Sequence, residues 1–369
     1  MSFGVYIHWP FCRSKCPYCD FFSKVKSDVP QDMLIDKYVD DLAYYAAKTK
    51  RRKVSSLFFG GGTPSLLTPK NVERVIDAVD KFWGFGDNVE ISLEANPNTN
   101  KPNLFEDLRK AGINRLSLGV QSLNDESLKF LGRTHSVEDA LLAAEKVVRV
   151  FDNHSADMMY ALPNQNKAMW QKELMQFCSL GFRHLSLYQL MIEEGTVFAK
   201  KGVQALNDDA AVALYTMTGE VLAEYGYKQY EVSNYAKNGF ECRHNKLYWQ
   251  GDDYVGVGQG AHGRISVDGQ VWAVEHCRKM EALTKEERAE ELVLMGLRLV
   301  EGINKKHFED CCGLRFDDFV SKEKKQELEQ SGLIQDTDTK VKVTKKGFVL
   351  LNKIIESLVC YSPISINNN

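Results

Sequence analysis

No stretch of this 369-residue chain runs to about 18 uninterrupted apolar residues, so the sequence offers no membrane-crossing helix. It also lacks a basic segment followed by an apolar core and a cleavage site. Met1-Ser2-Phe3-Gly4 leads directly into an apolar run, and no secretory leader is expected. Charge of one sign is not in excess: 47 Lys and Arg stand against 50 Asp and Glu, a net charge of -3. That balance gives no electrostatic footprint for nucleic acid. The one basic cluster, Lys48-Thr49-Lys50-Arg51-Arg52-Lys53, follows a helical pattern and reads as a solvated helix C-terminus favoured by the macrodipole. The nine cysteines are odd in number and do not keep the spacings of a disulfide framework, which suits a reducing compartment. The cytoplasm is the expected address, with at most peripheral membrane contact. Single cores stop growing at about 250 to 300 residues, so more than one domain is expected.

The remaining cysteine pattern is the informative one. In Tyr6-Ile7-His8-Trp9-Pro10-Phe11-Cys12-Arg13-Ser14-Lys15-Cys16-Pro17-Tyr18-Cys19-Asp20-Phe21, three thiols spaced C-x3-C-x2-C follow a strand-like run on one short loop. A cubane iron-sulfur cluster normally takes four thiolates, and this loop supplies three, leaving one iron open. Two other readings compete. A Cys3His zinc knot could recruit His8, although structural zinc sites usually draw on two separated pairs. Cys16 and Cys19 also form a C-x-x-C redox pair, which leaves Cys12 unused. The spacing, followed by Asp20-Phe21, resembles the radical SAM superfamily, in which S-adenosylmethionine chelates the open iron through its amino and carboxylate groups. The resemblance implies Cys12, Cys16 and Cys19 as ligands of a 4Fe-4S cluster.

Short apolar runs recur at Val5 to Trp9, Val54 to Phe59, Val89 to Glu94, Ile113 to Leu118, Ala156 to Tyr160 and His184 to Leu190, with helical patterns between them. Such alternation predicts βαβ units and a parallel sheet. Thr68-Pro69 is a cap with proline at the first helical position, and Leu104 to Lys110, Asp125 to Leu131, Val137 to Val150 and Lys167 to Leu180 are further helices. Six units fall short of the eight that close a full barrel. The expected fold is α/β, a partial (β/α)6 barrel over residues 1–195. Residues 196–284 read as an extension, with a helix from Asp208 to Tyr225 and an aperiodic aromatic-rich stretch from Tyr230 to Arg264. Residues 285–369 read as a smaller, mostly helical module. Its order of helix, helix, hairpin around Asp336-Thr337-Asp338 and helix resembles a winged helix, and its mixed charges favour packing or partner docking over DNA. The tail Asn367-Asn368-Asn369 is expected to be disordered.

Barrel active sites collect where strands end, and the candidate residues are expected there. Phe59-Gly60-Gly61-Gly62-Thr63-Pro64 lets backbone approach a ligand without Cβ interference. Glu94 closes the third strand ahead of Pro97. Gln121 and Arg133 follow the fourth, and the arginine can fork onto a carboxylate. Asp157 stands on the fifth, where a buried carboxylate needs a partner. Taken alone, each of these residues reads more simply as a structural polar group.

From Tyr6 through Leu190 the chain resembles the oxygen-independent coproporphyrinogen III dehydrogenase family. The resemblance implies that Tyr6, Gly61, Gly62, Thr63, Glu94, Gln121, Arg133 and Asp157 bind S-adenosylmethionine. Phe21 departs from it, since the dehydrogenases carry a further cysteine there, and only eleven residues precede Cys12 where they carry a long arm. Cys242-Arg243-His244-Asn245-Lys246-Leu247-Tyr248-Trp249 is an addition. Histidine is a common axial haem ligand and aromatics cover a porphyrin face, so His244, Tyr248 and Trp249 form a candidate haem clamp. A lone histidine in a loop is otherwise usually structural. The HNxxYW pattern resembles the radical SAM haem chaperones, a sister group that lacks both arm and extra cysteine. That resemblance implies three bound groups, a 4Fe-4S cluster, S-adenosylmethionine and haem, and delivery of haem to respiratory acceptor proteins. Oxidative decarboxylation of coproporphyrinogen III is the alternative function. Monomer and homodimer both remain open, and no catalytic residue is assigned. Gly256-Val257-Gly258-Gln259-Gly260-Ala261 matches a dinucleotide pattern, but a hairpin around Asp268-Gly269 is expected where a helix is needed. Cys178, Cys277, Cys311, Cys312 and Cys360 read as small hydrophobes.

Overall fold

The computed structural model describes residues 2–49, 52–98 and 102–359. Six parallel strands run in chain order: β1 (Phe3–Trp9), β2 (Val54–Gly61), β3 (Phe85–Ala95), β4 (Arg115–Gln121), β5 (Asn153–Tyr160) and β6 (His184–Gln189). Helices cross between them, among them Gln31–Lys48, Pro69–Trp83, Val137–Val150 and Lys167–Ser179. Thr68 accepts from the Asn71 amide with Pro69 behind it, and Ser136 with Asp139 forms a capping box. These local signals set the helix starts.

Alternation within each strand builds the two faces. Phe3, Val5, Ile7 and Trp9 of β1, with Leu57 and Phe59 of β2 and Leu116 and Leu118 of β4, are buried outward against the helices in the main core. The intervening residues Tyr6, Phe58, Glu94, Arg115, Ser117, Asp157 and Tyr188 face a lumen. A parallel sheet is buried on both sides, but here the second side is polar.

The region expected to be aperiodic supplies a seventh parallel strand. After β7 (Lys228–Glu231) and β8 (Asn234–Ala236), which extend the sheet beyond β6, β9 (Asp253–Val257) pairs with β1 in parallel register, Phe3 opposite Asp253. Then β10 (Gly263–Val267), β11 (Gln270–Glu275) and β12 (Lys279–Ala282) continue antiparallel. The order is β12-β11-β10-β9-β1-β2-β3-β4-β5-β6-β8-β7, an open twelve-stranded sheet. A strand, not a helix, follows Gly256 to Ala261, so the dinucleotide pattern has no structural counterpart.

The C-terminal segment has its own core around Leu292, Val293, Phe308, Phe316, Val341, Ile354 and Leu358. A three-stranded sheet of Ile303–Asn304, Lys340–Val343 and Ile334–Asp336 packs with short helices, a winged-helix-like arrangement. Arg298 ties it to the barrel through Glu231 at 3.2 Å. Among the described residues no helix is long and apolar enough to cross a membrane. Cys178 and Cys312 are buried as expected of small hydrophobes. Cys360, the Cys277 side chain and the Asn367-Asn368-Asn369 tail lie outside the described residues.

Candidate functional site

The cysteine loop leaves β1 and folds over the mouth of the barrel. A turn closes it, Cys19 N–H donating to the Cys16 carbonyl at 3.1 Å, and Phe198 N–H holds the Pro17 carbonyl at 3.0 Å. Beneath it the glycine turn approaches as backbone only: Gly62 N–H donates to Trp9 at 2.7 Å and Thr63 N–H to Phe11 at 2.9 Å. A Cβ on Gly62 would stand 2.7 Å from the Phe11 carbonyl oxygen, so no side chain fits there. The Thr63 hydroxyl lies 3.4 Å from Cys12 Sγ, and Arg133 Nη1 lies 3.4 Å from Cys16 Sγ.

Cys12, Cys16 and Cys19 line one cavity of about 390 Å³ together with Gly61, Gly62, Thr63, Glu94, Gln121, Arg133 and Asp157. The topology therefore brings ten of the predicted residues together, though not all at strand ends, while Tyr6 and His244 line an adjoining chamber. Tyr6 and Asp157 sit mid-strand, and Arg133 is on the loop after the short helix Asp125–Phe130. Gln121 reaches the cavity through an irregularity. The β4–β5 register shifts between Gly119 and Gln121, and Gln121 takes a φ of 68°, uncommon for a non-glycine residue.

The donor set discriminates between the metal readings. His8 is committed: the Phe22 carbonyl can only accept, so Nε2 donates to it at 2.9 Å and Nδ1 accepts from the Tyr6 hydroxyl at 3.0 Å. Among the described residues no three His, Cys, Asp or Glu side chains are grouped to hold a single metal ion. A zinc knot needs four donors on one ion, whereas a cubane meets each thiolate at a different iron. Three thiols spread around one cavity suit the cubane. The GGT turn fits beside it as a cradle that a Cβ would fill.

Arg133 differs from its expected fork. Nη2 donates to Asn96 Oδ1 at 2.6 Å and to the Gly119 carbonyl at 3.2 Å, and Nη1 faces Cys16, leaving Nε buried with no hydrogen-bond partner among the described residues. Burial, with Asp157 close by, pushes the Glu94 carboxyl up to about 8. Burial also raises Asp157, while Ser186 and Ser117 pull it back, Ser117 Oγ at 3.1 Å. A cation placed between these two carboxyls would favour their ionised forms and oppose the effect of burial.

A second chamber of about 530 Å³ continues into the lumen, sharing Asp20, Phe21, Gly61, Glu94, Asp157 and Tyr188 with the first. Arg115, Ser117, Ser186 and Tyr188 were missed from the sequence. The available signal was their period-2 alternation with apolar residues within strands.

His244 is not in a loop and does not form an open clamp. It sits on the helix Arg243–Gln250, 1% exposed, with Nδ1 2.8 Å from Ser56 Oγ and Nε2 hydrogen-bonded to the Tyr248 hydroxyl. Its ring stacks on Phe58 at 5.0 Å. Burial, with Arg115 beside it, lowers its pKa to about 3. Glu90, 4% exposed, caps the start of this helix: Cys242 Sγ donates at 3.5 Å, and the Arg243 and His244 amides at 3.3 Å each. Both nitrogens of His244 are hydrogen-bonded within the chain, and the residue lines the second chamber together with Tyr6, Phe58 and Tyr248.

Residues 6–178 match the model of the radical SAM superfamily, and residues 283–350 match that of the HemN C-terminal domain. The chain is 36% identical to the heme chaperone HemW of Haemophilus influenzae, over 96% of this chain and 97% of that one. It is 35% identical to HemW of Escherichia coli over the same shares. To the mitochondrial radical S-adenosyl methionine domain-containing protein 1 of Danio rerio it is 33% identical, over 96% and 86%. In structure it resembles coproporphyrinogen III oxidase (HemN) of Escherichia coli, a radical SAM enzyme, with a TM-score of 0.80 at 21% identity over 98% of this chain and 90% of that one. That likeness concerns the fold. The thiol loop, the glycine cradle and the identity over almost the whole chain together show that the protein belongs to the radical SAM superfamily and, within it, to the family that includes heme chaperone HemW.

Proposed function

We propose that the protein is a cytoplasmic haem chaperone, built on a 4Fe-4S cluster and S-adenosylmethionine, that hands haem to respiratory acceptor proteins. The observation that carries this reading is the 36% identity over 96% of the chain with a heme chaperone, against 21% with the oxidase. Cys12, Cys16 and Cys19 are assigned as cluster ligands, facing a cavity deep enough for the nucleoside. Gly61 and Gly62 offer backbone groups to the methionine end, and Thr63 and Arg133 hold the thiols in place. Glu94 and Asp157 take the ammonium or the ribose hydroxyls, with Gln121 completing the wall and Tyr6 reaching the cofactor from the adjoining chamber. When bound, the cluster and S-adenosylmethionine supply one-electron chemistry. Phe21, 62% exposed on the cavity rim, stands where the dehydrogenases have a further thiol, which disfavours decarboxylation of coproporphyrinogen III.

Anaerobic reconstitution should give about four irons per chain. Cys12→Ala should lose them, while Cys178→Ala keeps them. A full cluster in Cys12→Ala would remove the ligand assignment. The reduced protein given S-adenosylmethionine and coproporphyrinogen III should form no protoporphyrinogen IX, and multiple turnovers would replace the chaperone reading with the enzyme.

A further inference from the structure

Arg115 is buried without a hydrogen bond. Its side chain is 2% exposed, none of its N–H donors reaches an acceptor among the described residues, and its one ion-pair partner, Glu90, stands off at 3.9 Å. A buried charge is costly unless it is both paired and hydrogen-bonded. Glu90 does not complete it, because its oxygens already accept from Cys242 Sγ and from the Arg243 and His244 amides. Ser117, two residues along β4, turns its hydroxyl to Asp157 instead, at 3.1 Å. What Arg115 does line is the second chamber, whose volume of about 530 Å³ is usual for ligand sites. We infer that Arg115 is the carboxylate anchor of this chamber, which takes the acid group of a flat conjugated ligand.

The planar fork of a guanidinium matches the two oxygens of a carboxylate, so one such group would satisfy donors that the chain leaves open. The acids nearby do not fill that place. Burial pushes the Glu94 carboxyl up to about 8 and raises that of Asp157, which leaves the chamber short of negative charge. The rest of the lining suits a flat ring. Phe58 stacks on His244 at 5.0 Å and 17°, and Tyr6 lies 6.3 Å from Phe58 and 6.2 Å from His244, a wall of near-parallel rings. Phe21 and Phe22, 62% and 43% exposed, belong to the same chamber and offer apolar cover to the body of the ligand. A bare inorganic anion would use Arg115 alone and leave these rings uncovered. Two sources carry the required chemistry, a tetrapyrrole with propionates and a smaller aromatic acid. With the first the inference rests on the chaperone reading, and with the second it stands apart from it.

The test titrates the full-length, cluster-loaded protein with three probes: hemin, hemin dimethyl ester, which keeps iron and macrocycle but has no carboxylate, and benzoate. Wild type should bind hemin, followed by Soret absorption, about tenfold or more tightly than the ester. Arg115→Gln should bring the two affinities together with iron-sulfur content unchanged, a loss of discrimination that a purely structural role does not produce. Arg115→Lys keeps the charge beside Glu90 but not the fork; it should cut the discrimination several-fold and decides the matter if Arg115→Gln does not fold. Equal binding of hemin and ester, with benzoate bound by the wild type in calorimetry and not by the variants, keeps the anchor and assigns it the smaller acid. Equal binding without benzoate, or discrimination unchanged in a folded variant, overturns the inference and leaves the chaperone reading standing. Benzoate bound and hemin not bound by the wild type overturns the chaperone reading alone, and binding of neither overturns both.

Discussion

Glu90 and Glu94 lie on the same strand and face the same lumen, yet they serve opposite ends of it. Glu90 is shut in, accepting from the start of the Arg243–Gln250 helix and standing 3.9 Å from the Arg115 guanidinium. Glu94 opens onto the thiol cavity with its carboxyl pushed up to about 8. At the inner end the Glu90 carboxylate is matched within the chain, although the Arg115 Nε beside it, like the Arg133 Nε at the mouth, has no hydrogen-bond partner among the described residues. At the mouth the backbone itself is left open: the glycine turn has no side chains, and Gln121 is held at a positive φ. Position along the strand, rather than residue type, sets which of the two carboxylates opens onto the cavity, in keeping with barrel geometry.

The contrast can be broken most severely at Glu90. Glu90→Ala leaves Arg115 buried without its counter-charge and uncaps a helix, which should cost about 3–5 kcal/mol in urea unfolding. A loss under about 1 kcal/mol would show that the inner network is not structural. A second, smaller effect comes from His244. Its folded pKa of about 3 lies below the ordinary 6.5, so the folded state binds fewer protons between those values. Its contribution is therefore complete above pH 6.5 and is lost as pH falls toward 3, at up to about 1.4 kcal/mol per pH unit. His244→Asn should flatten the slope of stability against pH by about one proton over that window. An unchanged slope would mean that His244 titrates freely. The smallest change is expected at Glu94. Its carboxyl is mostly protonated at pH 7 in the ligand-free chain, so Glu94→Gln replaces one neutral group by another of the same shape. Stability should stay within about 1 kcal/mol of wild type, while S-adenosylmethionine affinity, measured by calorimetry, falls. The reverse pattern would exchange the roles of the two glutamates.

Much of the barrel was legible because its signals are local. Leu104–Lys110 and Val137–Val150 begin and end where the sequence placed them, the second behind its own capping box. The thiol loop and GGT turn were legible for the same reason. What was not legible depends on partners distant in the chain. The HNxxYW segment reads as a loop because Cys242 makes no side-chain cap, and the cap arrives from Glu90 on β3. Arg115, inside the Ile113 to Leu118 run, carries no local sign of its role, which only its buried place beside Glu90 of the neighbouring strand shows. The Arg133 fork was assigned to a ligand, but Asn96 and Gly119 had already claimed it.

The pairing of β9 with β1 joins residues 253–257 to residues 3–7, two strands far apart in the chain. A ribosome adds about 5–20 residues per second. The strand that closes the edge beside the thiol loop arrives on the order of ten to fifty seconds after it. Until then β1 has its neighbour on one side only, and its other edge offers unpaired amides to any passing strand. Contacts of such sequence separation are slow to form even in a released chain, because loop closure must precede any gain from them. The thiol segment is thus made about 240 residues ahead of the strand that encloses its edge.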